Sequence, residues 1–174
     1  MTTATPEAKP VISETTIGSL LFFVATCVLA YQLSLRVLPT STAPRTRFIY
    51  IWHLFDALIH IVFEGSFLYY SFASSSPTSE HGTSAHRLWG NLSTAYGTRH
   101  SSDALGKLWI EYGNADRRWA DADIGILTLE LLTVVVGGPL SLWISEMVRV
   151  GDPRQWFWIV VLAVGELYGG RENL

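Results

Sequence analysis

Charge is scarce in this sequence. Only 16% of its residues are Asp, Glu, Lys or Arg, against about 25% in soluble domains. No basic tract occurs, so no nucleic-acid partner is expected. Cysteine is nearly absent: Cys27 stands alone, which excludes an intramolecular disulfide and leaves the redox compartment open. It lies inside an apolar run and reads as a packing residue. There is no Gly-rich phosphate loop and no GxSxG around a serine, which argues against nucleotide chemistry and serine hydrolysis. Metal signatures are missing as well. His53, His60 and Glu64 offer three donors, but not at the HExxH spacing of zinc enzymes. A membrane di-iron desaturase needs many more histidines than the two, His53 and His60, inside apolar stretches. His81, His86 and His100 fall in a polar stretch and read as solvated. Neither a metal nor a cofactor is expected.

What the chain has in abundance is apolar surface. Hydrophobic residues make up 49% of it, with seven Trp, seven Tyr and eight Phe, and the mean hydropathy is +0.27. Residues 17–38 open with nineteen uncharged positions, close to the ~20 that cross a hydrocarbon core. The run is too long for a signal-peptide core, and Arg36-Val37-Leu38-Pro39 is no small-residue cleavage site. Further spans are predicted at about 48–73, 124–147 and 156–170, the last short. The fold class is therefore all-α, a polytopic transmembrane helical bundle. Residues 1–16 are expected to be a disordered tail, 74–104 a flexible polar insertion, and 171–174 a tail. From Leu105, the spacing of Leu108, Trp109, Tyr112 and Trp119 predicts an ordered amphipathic element. Pro139 in VGGPL is expected to bend the third span, because it removes a backbone donor. Basic residues flank both ends of the spans, so charge sets no orientation.

Ionisable groups interrupt two of these runs. On a helix advancing ~100° per residue, Asp56, His60 and Glu64 lie about 60°, 20° and 20° from His53. All four share one face of a stretch otherwise covered by Ile51, Leu54, Leu58, Ile61, Val62 and Phe63. Charged groups at membrane depth cost roughly 2.5–3.5 kcal/mol each on insertion scales, and they face a protein interior or polar cavity. His60 and Glu64 are an i,i+4 pair, close enough to share a hydrogen bond. Glu130 supplies a carboxyl from another span, and Thr133, one turn later, is placed to orient it. Two acids and an imidazole in a dry pocket suit protonation at one carbon and deprotonation at its neighbour. They also suit a cationic intermediate, since carboxylates and aromatic faces both attract positive charge. Such a pair can also simply tie helices together. His53 and Asp56 lie nearer the start of the span and read as structural or hydrated, Glu146 and Glu166 as interfacial.

IHIVFEG (59–65), LWIEYGNADRRW (108–119), LELLTVVVGGPLSLW (129–143) and VGELYG (164–169) resemble, in order, successive motifs of the emopamil-binding protein family. These are sterol isomerases of the endoplasmic reticulum, within the broader EXPERA group. The resemblance implies a five-span bundle enclosing a sterol pocket, multi-pass in the endoplasmic reticulum membrane. Its reaction moves a ring double bond from the 8- to the 7-position by protonation, a carbocation and proton loss, without a cofactor. The catalytic roles it implies fall on His60, Glu64, Glu130 and Thr133. Substrate-binding or supporting roles fall on Trp109, Tyr112, Asp116, Arg118 and Trp119, with Trp119 in place of Tyr; Asp56 and His53 join them from the polar face. Cationic amphiphilic amines, which mimic the cation, are the implied ligands beside the sterol.

The sequence departs from that family at Ser66, where an aromatic residue follows the EG, and at Gly137, usually Trp. The Ser-rich insertion is longer, and the chain ends within the fourth span. A C-terminally truncated form is expected, unstable by itself or completed as a homodimer. Two rival functions accompany the isomerase: a non-catalytic sterol- or amine-binding membrane protein of the same domain family, and an isomerase of another polycyclic terpenoid.

Overall fold

Length and apolar composition turn the predicted spans into long rods. The computed structural model describes residues 13–77, 90 and 93–171. α1 (Glu14–Val37) is uncharged from Thr15 to Leu35, and its hydroxyls bond inward along the helix, Thr26 Oγ1 to the Phe22 carbonyl at 2.8 Å. The Ser13 side chain caps it by accepting from the Thr16 amide. At its other end Arg47 donates to the Ser34 carbonyl at 2.7 Å and to the Pro39 carbonyl at 2.9 Å. One guanidinium thus satisfies carbonyls that the helix end leaves open, and it pins the turn into the next rod.

The second rod is α2 (Pro44–Leu58), a π-helical segment (Ile59–Glu64) and α3 (Gly65–Ala73). Pro44 at its start has no amide to leave unpaired. The third rod repeats the plan: α5 (Ile124–Leu132), a π segment (Thr133–Gly137) and α6 (Gly138–Val150), ended by Gly151 in the left-handed conformation. These two rods and α1 are long and apolar enough to cross a membrane, while the helix over Gln155–Gly169 falls short of that length. That helix, α7 (Gln155–Arg171), lies against α6. The chain is an all-α, multi-pass membrane protein. Leu20, Leu21, Val24, Phe157, Val160 and Leu167 point outward, as lipid-facing residues do.

Two expectations of local structure change. The span through His60 is not one uninterrupted α-helix, because residues 59–64 take the wider π turn. Near Pro139, where a bend is expected, the span carries a second π segment. Without an amide, Pro139 cannot bond the carbonyl four residues back, and the backbone answers with the π turn at 133–137. The two π segments pack on each other. Gly138 permits this: a Cβ there would stand 2.7 Å from Ile61 Cγ1 and 3.1 Å from His60 Cβ.

Between the rods, the described parts of the polar stretch are ordered. β1 (Ser75–Pro77) pairs antiparallel with β2 (Thr94–Tyr96), and a 3₁₀ turn follows at Thr98–His100. Gly97 joins them at φ 141°, where a Cβ would meet the Ala120 carbonyl at 2.4 Å. His100, expected to be solvated, has its Nε2 buried in this turn, and burial pushes the imidazole below its ordinary value. α4 (Ala104–Ala115) buries Leu108 and Trp109, followed by a second 3₁₀ turn (Arg117–Trp119). His81, His86 and the rest of 78–89, with 91–92, lie outside the described residues, as do 1–12 and 172–174. Residues 14–16, assigned to a disordered tail, form the first turn of α1, and both Ser13 and Thr16 bond Glu111 of α4.

Two apolar clusters hold the rods together. One joins Tyr50 and Leu54 to Ile144, Met147 and Val148. The other joins Phe63, Phe67 and Leu68 to Trp109, Ile126 and Leu127. His60, Glu130 and Thr133 sit in the level between them.

Candidate active site

The π segments bring the polar groups of two rods face to face. Glu64 Oε2 accepts from Thr133 Oγ1 at 2.6 Å and lies 2.6 Å from His60 Nδ1. Thr133 Oγ1 also lies 3.0 Å from the Glu130 backbone carbonyl. Thr133 therefore orients Glu64 across the interface, not the Glu130 carboxyl of its own helix as expected. Glu130 is buried, close enough to interact with Glu64 and His60, and its Oε2 has no hydrogen-bond partner. The four residues read as catalytic are thus brought together.

The other nitrogen of His60 faces a different set. Asp56 Oδ1 is 3.5 Å and Glu166 Oε1 3.9 Å from His60 Nε2. Asp56 is held by Ser141, whose hydroxyl donates to Oδ2 at 2.7 Å. Glu166, read as interfacial, is instead a neighbour of the site, because α7 runs past His60. Glu146 pairs with exposed Arg149. His53 Nδ1 lies 2.8 Å from the Ile49 carbonyl of its own helix. The donors that converge within 4.8 Å of one another are Asp56, His60 and Glu166, rather than the set His53, His60 and Glu64.

Trp109, Tyr112 and Trp119 form one aromatic cluster with Phe63 and Phe67, adjoining the site through Phe63. Trp109 and Trp119 stack at 5.6 Å and 12°, and Phe63 lies 4.8 Å from Trp109. Trp109 Nε1 donates to Ser66 Oγ at 3.0 Å, so the residue after the EG motif becomes an acceptor for the buried indole. Ser141 and Phe67 escaped notice in the sequence, where a lone serine or phenylalanine in an apolar run carries no signal. Asp116 and Arg118 follow Tyr112 at the end of α4 and in the 3₁₀ turn. They pair with each other, Arg118 Nε to Asp116 Oδ2 at 2.8 Å, and that hydrogen bond holds the Asp116 carboxyl below its usual range. Beside Phe63 and Ser66 lies a cavity of about 530 Å³, also lined by Phe22, Gly18 and Leu108. A second, of about 360 Å³, is lined by Phe48, Trp52, His53 and Glu166.

The arrangement offers an imidazole, two carboxyl groups and a hydroxyl across a helix interface. Comparison with known proteins shows what the chain is similar to. The chain is 28% identical over 147 residues, 84% of its length, to the guinea pig (Cavia porcellus) 3-beta-hydroxysteroid-Delta(8),Delta(7)-isomerase, covering 54% of that protein. It is 25% identical over 123 residues to a probable isomerase of the same name from rice (Oryza sativa subsp. japonica), with 71% and 46% covered. It is 25% identical over 131 residues to isomeliandiol synthase of Ailanthus altissima, with 74% and 50% covered. The chain spans about half the length of these relatives. Residues 104–171 match the family described as EBP: EXPERA, the expanded EBP superfamily, so the chain is similar to that superfamily over this region.

Proposed function

We propose that this chain isomerises a sterol, moving a ring double bond from the 8- to the 7-position in the endoplasmic reticulum membrane. The observation that carries this reading is the Glu64 carboxylate, shared by His60 and Thr133, beside the Glu130 carboxyl, whose buried Oε2 has no hydrogen-bond partner. Glu130 gives its proton to the alkene carbon C9, and the π electrons form the new C–H bond. A tertiary cation remains at C8, opposite the Glu64 carboxylate and near the Phe63 ring. The His60–Glu64 pair then takes a proton from C7, and the freed electron pair forms the 7-ene. Protons and electrons balance without oxidant or reductant. His60 returns the proton to the acid. The names of the animal and plant relatives support a sterol substrate. The cation also accounts for cationic amphiphilic amines as expected ligands, through charge pairing in low dielectric.

The test feeds an 8-unsaturated sterol to membranes from an isomerase-null host expressing the chain, and measures the 7-unsaturated product. Glu64→Gln, Glu130→Gln and His60→Ala should each lower conversion by roughly 10²–10⁴-fold at unchanged protein level. Full conversion by one of these variants removes that residue from the mechanism. An unmutated chain that inserts normally and binds a lipophilic tertiary amine, yet converts no sterol, supports the non-catalytic binding reading instead. Equal affinity for the amine and its neutral carbon isostere counts against an acid-lined site.

A further inference from the structure

Three carboxylates converge on one imidazole. Glu64 holds His60 Nδ1, while Asp56 and Glu166 stand on the Nε2 side. His60 is 9% exposed, and its Nε2 is buried with no hydrogen-bond partner. The proposed isomerisation uses Glu64 and Glu130, and leaves Asp56 and Glu166 without a task. We propose that Asp56, His60 and Glu166 form a binding site for a divalent transition-metal ion of the zinc type.

Four observations carry the proposal. The first is the donor set: an imidazole nitrogen with two carboxylate oxygens suits zinc and its neighbours better than calcium or magnesium. Spacing is the second. Two ligands on a tetrahedral ion with ~2.1 Å bonds stand about 3.4 Å apart; Asp56 Oδ1 is 3.5 Å and Glu166 Oε1 3.9 Å from His60 Nε2. All three donor atoms lie within 4.8 Å of one another, so a modest closure of the carboxylate pair completes the triangle. The third is the surrounding shell. His60 Nδ1 faces the Glu64 carboxylate at 2.6 Å, itself fixed by Thr133. That contact sets the tautomer that leaves the Nε2 lone pair free for a metal, the carboxylate–histidine–metal arrangement. Ser141 likewise holds Asp56 Oδ2 and turns Oδ1 to the site. The fourth is access and room. The cavity of about 360 Å³ lined by Phe48, Trp52, His53 and Glu166 opens beside the Glu166 ligand. Gly137 keeps the Nε2 side open, since even a Cβ there would lie 3.8 Å from Nε2.

Charge favours occupancy too. Carboxylates gathered at membrane depth cost free energy unless a cation balances them, and a divalent ion bridging Asp56 and Glu166 does so. Its binding engages His60 Nε2, which fixes the imidazole of the His60–Glu64 pair, and puts positive charge beside the cation-forming pocket. Zinc should therefore suppress sterol conversion, and a chelator should restore it. This consequence rests on the isomerase reading; the binding itself does not.

The experiment titrates the purified full chain in detergent with Co²⁺ and reads its visible d–d absorption, then displaces it with Zn²⁺. One equivalent should bind. Ser141→Ala, which removes only the group orienting Asp56, should weaken binding by roughly 10–100-fold, and Asp56→Asn and Glu166→Gln by at least as much. Glu146→Gln, which removes a carboxylate paired with Arg149, should bind as the unmutated chain does. Glu166 is partly exposed, so its Gln variant should keep the parent melting temperature. A titration no different from the detergent blank overturns the proposal, and so does unchanged affinity in Glu166→Gln. Metal binding is read by absorption, so a chain that binds Co²⁺ but converts no sterol sinks only the isomerase reading.

Discussion

Glu64 accepts two short contacts from two directions, and its position depends on both. Thr133 reaches it from the facing rod at 2.6 Å. A hydrogen bond to a charged group contributes about 1.5–3 kcal/mol, so Thr133→Val should lower turnover by roughly tenfold or more with little change in KM, and Thr133→Ser should recover most of it. This is measured as initial rates of sterol conversion in membranes. His60 and Glu64 were legible in the sequence because ionisable groups four apart in an apolar run demand an internal partner. Thr133's true partner was not legible, since the choice between Glu64 and Glu130 depends on how two rods meet. Glu166 was misread for a related reason. Its place near the end of a short segment looked interfacial, and only the path of α7 brings it to 3.9 Å from His60.

At the scale of elements, two adjacent glycines make contrasting predictions. A Cβ at Gly138 collides with Ile61 Cγ1 at 2.7 Å, whereas one at Gly137 meets ordinary contacts of 3.7–3.8 Å. Gly138→Ala should cost about 1–3 kcal/mol through overpacking, push the π segments apart and reduce conversion. Gly137→Ala should be nearly neutral, both read as melting temperature in detergent. A second element-scale device is the tether between α1 and α4. Hydrogen bonds from Ser13 and Thr16 hold the Glu111 carboxyl below its ordinary value. A depressed carboxyl stabilises above its unfolded value, about 4.3, and that contribution is lost as the pH falls through the lowered one. Amide exchange at the start of α1 should therefore rise in acid, and in Glu111→Gln it should be raised already at neutral pH. Helix positions and the amphipathic α4 could be read from periodicity. The π turns could not, because a backbone that widens to bring two rods into contact does so for tertiary reasons.

For the whole molecule, the outward apolar faces require a bilayer around them. Cys27 sits midway along α1 and is exposed on the bundle surface, so in intact membranes it should face lipid. A membrane-impermeant maleimide should leave it unlabelled there and label it after detergent solubilisation; equal labelling in both states would show that α1 does not cross. Composition, run length and sparse charge determined by themselves that the chain is a helical membrane protein, because hydrocarbon admits only backbones that satisfy their own hydrogen bonds. They also determined that His60, Glu64 and Glu130 must be internal, since each costs too much when left facing lipid. The tertiary structure decided which of these groups meet. Thr133 bonds Glu64, the other imidazole nitrogen faces Asp56 and Glu166, and Asp116 pairs with Arg118. Those choices turn on angstrom-scale approaches between separate helices, and a one-dimensional pattern specifies faces but not distances.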